Sequence, residues 1–439
     1  MDAHVFAIPR APKRERSARI GERAARIGSP WTVAAIVAAV YMLLTVPGLA
    51  WNPYQFVNIG QHFYKKGSSS SAINEHARPL HGSDHAARIG YDGQFYYFLA
   101  VDPTHGRDYM DDPGVVYSRI GYPMTARALS GGNPTLIPYM MVLVNILAAV
   151  GGTLAVAFFL RRHGLPPALA LLYGFYPGLI LSVLRDLTEP LAFGLAAAGL
   201  VVFDPRSKRR ILLSAVLFGL AMLTRETVAL FPAILALGLL VGAGTASSWR
   251  ERIRWSNVVR AAAFAEIVFV PLFAWRHVLA TALPQATSQE PFVGGEHHIV
   301  GGALGAALTA LVPFHGIAKQ WPWTGGDVTD LLTVLLPALI WSGIAIVLLR
   351  RKLTLGPLFV LANVAVFAVF LPTPIAVDYG SMGRASIGVV LAALMTLPQA
   401  TAVLQDKARL IRGTFMLWSL PFWLVVTILF GALGPKFVW

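Results

Sequence analysis

The chain reads as an all-α polytopic membrane protein with about eleven transmembrane helices and interfacial helices in two long extracytoplasmic loops. Composition is the first reason: 56% of the 439 residues are hydrophobic and 13% are charged. Soluble domains sit near half apolar and a quarter charged. The second is length, because apolar runs of about 17 to 25 residues recur from Trp31 onward, enough to cross a hydrocarbon core of roughly 30 Å as helices. The third is charge placement. Lys and Arg gather in every second loop, the alternation expected where basic loops stay on the cytoplasmic side.

The runs fall at about 32–50, 135–160, 166–184, 189–203, 211–224, 227–246, 259–280, 328–349, 355–372, 386–404 and 414–433. Residues 1–31 form a basic cytoplasmic tail, 32–433 a single transmembrane domain, and 434–439 a short external C-terminus. Arg161-Arg162, the Arg206–Arg210 stretch, Arg350-Arg351-Lys352 and the Lys407/Arg409/Arg412 loop all fall inside in this topology. The first extracytoplasmic loop spans 51–134 and the second 281–327. Within the first, 85–101 and 116–129 carry apolar and aromatic residues at helical spacing and are expected to lie along the membrane surface. Pro177, Pro232, Pro271 and Pro398 are placed to break spans.

The formal charge of +14 needs no nucleic acid, because its cations sit at membrane ends and anionic lipid headgroups suffice as partners. With no cysteine, disulfides, a thiol nucleophile and Cys-ligated metal sites are excluded. His297-His298 lacks the i, i+4 spacing of a helical zinc pair, so neither a metal nor a cofactor is expected.

Polar residues that the spans leave unexplained collect on the outer side. Foremost is Asp92 in Tyr91-Asp92-Gly93-Gln94-Phe95-Tyr96-Tyr97, a carboxylate among rings. An ionised aspartate here suits a general base toward a hydroxyl, with Tyr91 and Tyr96 as flat faces for a sugar and Gln94 as a hydroxyl contact. The same position suits a helix cap, and position alone does not choose. Asp186 and Glu189, three apart, are expected on one helical face as a carboxylate pair for substrate, or as a salt-bridge cluster with Arg185. Arg225 and Arg384 follow or precede apolar runs and therefore need anions, Glu226 and Asp378 being the local candidates and a phosphate the functional one. Lys319 is a third cation at that height.

In this order the motifs resemble the GT-C superfamily of multi-pass glycosyltransferases, in particular the mannosyltransferases that add the second mannose of the GPI anchor and their bacterial relatives. Tyr91-Asp92-Gly93-Gln94-Phe95-Tyr96 is similar to that family's aromatic-Asp motif, and Arg119-Ile120-Gly121-Tyr122-Pro123 with Leu129 to its F-P-L-x-P segment. Tyr176-Pro177 through Thr188-Glu189-Pro190-Leu191-Ala192-Phe193 resembles its P…Y-S-E-x-L-F hairpin, and Ala221-Met222-Leu223-Thr224-Arg225-Glu226 its A-x-L-T-R-S. The chain departs from the pattern at Asp186-Leu187-Thr188 and at Glu226. The resemblance implies a polyprenyl-phosphate sugar donor, with mannose as the sugar, and a lipid, glycan or protein acceptor. It also implies transfer on the outer face of a cell membrane, with Asp92 as base, Tyr91, Gln94, Tyr96, Asp186 and Glu189 at the substrate, and Arg225, Arg384 and Lys319 at the donor phosphate. The competing expectation is a transporter or a flippase for lipid-linked glycans, which would show broken helices at related places in two halves.

Overall fold

The computed structural model describes residues 28–67, 69–82, 85–242, 254–282, 334–351, 354–370, 383–404 and 408–419. Glu296, His297, His298, Lys319 and Asp378 lie outside the described residues, as do most of the N-terminal tail, most of the second long loop and most of the run expected at 414–433. Among the described residues every regular element is helical, and extended pairing is confined to one isolated bridge between Ile59 and Gly90.

The helices that position the site are, in chain order, α1 (Pro30–Trp51), α2 (Gly93–Val101), α3 (Gly121–Leu129), α4 (Ile137–Arg162), α5 (Pro177–Leu184), α6 (Glu189–Val202), α7 (Lys208–Thr224), α8 (Leu230–Leu240), α9 (Trp255–Ala282), α10 (Leu336–Arg351), α11 (Leu355–Phe370) and α12 (Ile387–Val403). Prolines start several of them: Pro30, Pro138, Pro177 and Pro190 each occupy a first-turn position, where the missing N–H costs nothing and the fixed φ already suits a helix. Ser207 caps α7 by accepting from the Arg210 amide at 3.4 Å, satisfying one of the donors a helix start leaves open.

Among the described residues four helices are long and apolar enough to cross a membrane: α1, α4, α9 and the stretch Gly383–Val403 that contains α12. The run expected at 166–184 is one of the broken ones. Pro167–Gly174 and α5 together pass the same test but meet at 52°, because Tyr176, preceding Pro177, takes an extended conformation (φ −60°, ψ 129°) that the proline ring imposes on its neighbour. Other expected runs form shorter rods: α6 has 14 residues, α7 17 and α8 11. At about 1.5 Å per residue, the shortest of these falls well below a 30 Å core. α8 is short because residues Glu226–Ala229 before it wind as a 3-10 turn. The surface helices expected at 85–101 and 116–129 are each cut in two, at Gly90–Asp92 and at Arg119–Ile120.

α4 is the central element, packing on α1, α6, α3 and α12, while α6 packs on α7 and α7 on α9. Two apolar cores result. One runs through this bundle around Tyr41, Tyr173, Phe193, Phe218, Phe264 and Trp341. The other lies under the first loop around Tyr54, Tyr97, Phe98, Tyr109, Tyr122 and Met141. The turn between α5 and α6 lies where the two meet, with Val183 in the first core and Leu187 in the second.

The start of α12 reaches this seam by a backbone approach. A Cβ on Gly178 would overlap the carbonyl of Gly383 and crowd the amide of Arg384, and the Tyr176 hydroxyl and Ser386 Oγ hydrogen-bond at 2.7 Å. Gly178→Ala is expected to cost about 1–3 kcal/mol as an overpacked contact. Gly343→Ala, on α10 with nothing among the described residues within 4 Å of the added carbon, should cost nothing. Unfolding of the two variants in detergent, followed by circular dichroism, checks the difference.

Candidate functional site

The Tyr91-Asp92 pair is set in place from below by Gln94. Its side chain is 1% exposed, its Oε1 accepts from the Gly60 amide at 2.9 Å and its Nε2 donates to the Ile89 carbonyl at 2.9 Å. The Tyr91 amide donates to the Asn58 carbonyl at 3.0 Å, continuing the Ile59–Gly90 bridge. Gln94, expected at a substrate hydroxyl, is therefore a clamp between two stretches of backbone. Tyr96 differs from expectation in the same way, being 2% exposed with its hydroxyl accepting from Arg119 Nη1 at 3.4 Å. α2 buries every residue except Phe95, so its aromatics pack and only Tyr91 and Asp92, ahead of the helix, face outward.

Asp92 stands at the N-cap position of α2 but makes no side-chain cap bond, its backbone being already helical (φ −55°, ψ −27°). Its carboxylate turns instead to Arg384, whose Nη2 reaches Oδ2 at 3.1 Å. The other two nitrogens of Arg384 are also engaged. Nη1 donates to the Tyr91 hydroxyl at 3.2 Å and Nε to Glu189 Oε1 at 2.7 Å. Arg225 Nη1 lies 3.1 Å from that same Glu189 oxygen and donates to Thr188 Oγ1 at 3.2 Å. One fully buried carboxylate thus joins two guanidiniums from helices far apart in sequence.

Glu226, the local candidate for Arg225, belongs to another arginine. Arg119 holds it with two nearly parallel bonds, Nη2 to Oε1 at 2.6 Å and Nε to Oε2 at 3.2 Å. Sequence reasoning placed Arg119 only within a motif, and nothing local pointed to a partner 107 residues away. The whole forms an array of three arginines (Arg119, Arg225, Arg384) and three carboxylates (Glu226, Glu189, Asp92). Its acids differ sharply in access. The Glu189 side chain is 0% exposed and that of Glu226 11%, whereas Asp92 is 51% exposed.

Arg185 was expected to pair with Asp186 or Glu189 and pairs with neither. Its guanidinium sits 5.7 Å from the centre of the Tyr91 ring, which also carries Arg384 at 5.6 Å, a cation–π arrangement. Among the described residues it has no carboxylate partner, and burial with no counter-charge lowers its pKa, against the pull of Tyr91. Its backbone explains the register with Asp92: a Cβ at position 93 would overlap the Arg185 carbonyl, so Gly93 lets the turn seat directly beside the aspartate.

Asp186 and Glu189 do not form the expected pair either. Asp186 has φ +50° and turns inward to the Tyr122 hydroxyl, while Glu189, on the first residue of α6, faces the arginines. Among the expected site residues the structure therefore unites Asp92, Tyr91, Glu189, Arg225 and Arg384. It places Gln94, Tyr96 and Asp186 behind them and adds Arg119, Arg185 and Glu226. Among the described residues no group of three His, Asp or Glu side chains is arranged to hold a metal ion.

Comparison of the chain with protein-family models, with curated proteins and with solved structures gives no match.

The two acids bonded to Arg384 should respond to neutralisation by very different amounts. Glu189→Gln leaves two buried guanidiniums facing a neutral amide and is expected to cost about 3–5 kcal/mol. Asp92→Asn removes a half-exposed partner and should cost under about 1 kcal/mol. Parallel thermal unfolding of both variants in one detergent tests this ordering.

Proposed function

We propose that this protein is an integral membrane glycosyltransferase, moving a sugar from a polyprenyl-phosphate donor to an acceptor hydroxyl on the extracytoplasmic face, in the assembly of a cell-surface glycan or glycoconjugate. One observation carries the reading. In a buried array where the other carboxylates are closed off, Asp92 alone is half-exposed, oriented by Arg384 through one oxygen, and the neighbouring Tyr91 ring carries Arg185, an arginine with no carboxylate partner among the described residues. A base and an anion-binding group side by side are what inverting transfer from a phosphate-linked sugar requires.

In this mechanism an oxygen of Asp92 accepts the proton of the acceptor hydroxyl as the hydroxyl oxygen bonds to the anomeric carbon. The bond from that carbon to the phosphate oxygen breaks, and its electron pair leaves with the polyprenyl phosphate. Negative charge grows on the phosphate, so a cation placed there stabilises the transition state more than the ground state. Of the arginines expected at the phosphate, Arg225 and Arg384 already serve Glu189. They supply positive potential and orientation, and direct contact falls to Arg185. The basic loops facing the opposite side support the orientation, and a donor carried in the bilayer reaches such a site laterally. Mannose remains the sugar proposed from the motif resemblance.

Purified protein supplied with radiolabelled polyprenyl-phosphate sugars should form labelled product with one of them. Asp92→Asn should reduce the rate by at least about 100-fold, the contribution of a positioned base, while leaving the melting temperature near that of the wild type. Arg185→Gln should raise KM for the donor and lower kcat, with Arg185→Lys recovering only part because a point charge replaces a planar fork. Unchanged product formation by Asp92→Asn would overturn the assignment.

A further inference from the structure

Asp186 has no part in the transfer chemistry, yet it is 0% exposed and carries an ionisable group into the seam between the two cores. Its Oδ1 accepts from the Tyr122 hydroxyl at 3.3 Å, and that hydroxyl accepts from Asn145 Nδ2 at 2.8 Å. Tyr122, on α3, and Asn145, on α4, are themselves fully buried. Two oxygens of the trio, Asp186 Oδ2 and Asn145 Oδ1, have no hydrogen-bond partner. A buried orphan acceptor is costly, and here two belong to neighbours already joined through one tyrosine.

Charges that could settle Asp186 as a carboxylate are turned elsewhere. From its own turn, Arg185 faces Tyr91 and Glu189 faces Arg225 and Arg384. From α3 it meets Tyr122, from α4 only the neutral Asn145, and Tyr96 of α2, edge-on to Tyr122, has its hydroxyl on Arg119. No guanidinium bonds to it among the described residues.

We propose that Asp186 is a positioning residue that works as a neutral carboxylic acid, the proton on its Oδ2 donated to Asn145 Oδ1. A single proton then satisfies both orphan oxygens and closes a ring: Asn145 N–H to the Tyr122 hydroxyl, that hydroxyl to Asp186, and Asp186 back to Asn145. The ring pins a turn whose backbone at Asp186 is left-handed, with Arg185 on one side and Thr188-Glu189 on the other. Through that turn it sets the height of the Arg185 guanidinium over Tyr91 and the point at which α6 begins. Burial acts in the same direction, pushing the Asp186 carboxyl well above the ordinary aspartate range against the smaller opposing effect of the Tyr122 hydroxyl.

The sign of the pH dependence follows. A folded-state pKa raised above the unfolded one gives stability that is fully present below the unfolded value and is lost as pH rises through the folded value. Asp186→Asn mimics the neutral acid, since its amide offers one acceptor to Tyr122 and one donor to Asn145. The experiment measures melting temperature of the full-length protein in detergent from acid to mildly alkaline pH, for wild type, Asp186→Asn and Asp186→Leu, in sodium and in choline buffers. Expected are an Asp186→Asn protein that folds, matches wild type at acid pH and gains on it as pH rises, and an Asp186→Leu protein lower by several degrees throughout. The infrared C=O stretch of a protonated carboxyl should be present in wild type and absent in Asp186→Asn. Failure of Asp186→Asn to fold, a gap from wild type that does not change with pH, or sodium-dependent stability lost in Asp186→Asn would each overturn the proposal, the last by revealing a carboxylate paired with a cation. These readouts need no substrate, so they stand or fall separately from the transferase reading. If that reading holds, Asp186→Asn retains transfer where Asp92→Asn does not.

Discussion

Glu189 is the residue on which the arrangement turns. A carboxylate with no exposed surface must be compensated by cations close at hand, and it draws one guanidinium from the end of α7 and another from the approach to α12 onto a single oxygen. Its position on the first residue of α6 adds the favourable potential of a helix N-terminus. Because the Arg384 fork is planar, satisfying Glu189 with Nε fixes where its two remaining nitrogens point, and those nitrogens reach Tyr91 and Asp92. The buried pair thereby aims the half-exposed one.

This explains why some of the site was readable in sequence and some was not. Glu189, Arg225 and Arg384 stand at the ends of apolar runs, where an ionised side chain is expensive and so conspicuous, and Asp92 stands out as a carboxylate among rings. Which acid meets which arginine is a tertiary choice. Arg225 reaches past the adjacent Glu226 to Glu189, and Glu226 takes Arg119 in two-pronged geometry. Gln94 and Tyr96 were misjudged for a related reason. An amide or a phenol beside an exposed aspartate looks the same in sequence whether it meets a substrate or, as here, a backbone carbonyl and an arginine.

The all-helical class was legible from hydropathy, and the lengths of individual helices were not. Window averages merge Pro167–Gly174 with α5, although Pro177 breaks them, and they run α8 back through a segment that winds as a 3-10 turn. Both breaks lie at the site. Tyr176, at the first, is joined to Ser386, two residues past Arg384, and Arg225 and Glu226, at the second, are members of the charged array. Irregular backbone amid apolar helices leaves carbonyls and amides to be satisfied by side chains. Close approach without a side chain, at Gly93 and Gly178, is the other half of the geometry and leaves no trace in periodicity.

The bond between Arg384 and Asp92 joins residues 292 positions apart. During synthesis the aspartate, its tyrosine and the Glu189 turn all emerge long before the arginine that orients them. Until the last quarter of the chain has been made and packed against α5, Glu189 has only Arg225 and Asp92 has no partner in this array. A nascent or truncated chain would carry the aromatic-aspartate motif with its carboxylate unaimed, so under the proposed transferase function competence would arrive as a terminal event of biogenesis.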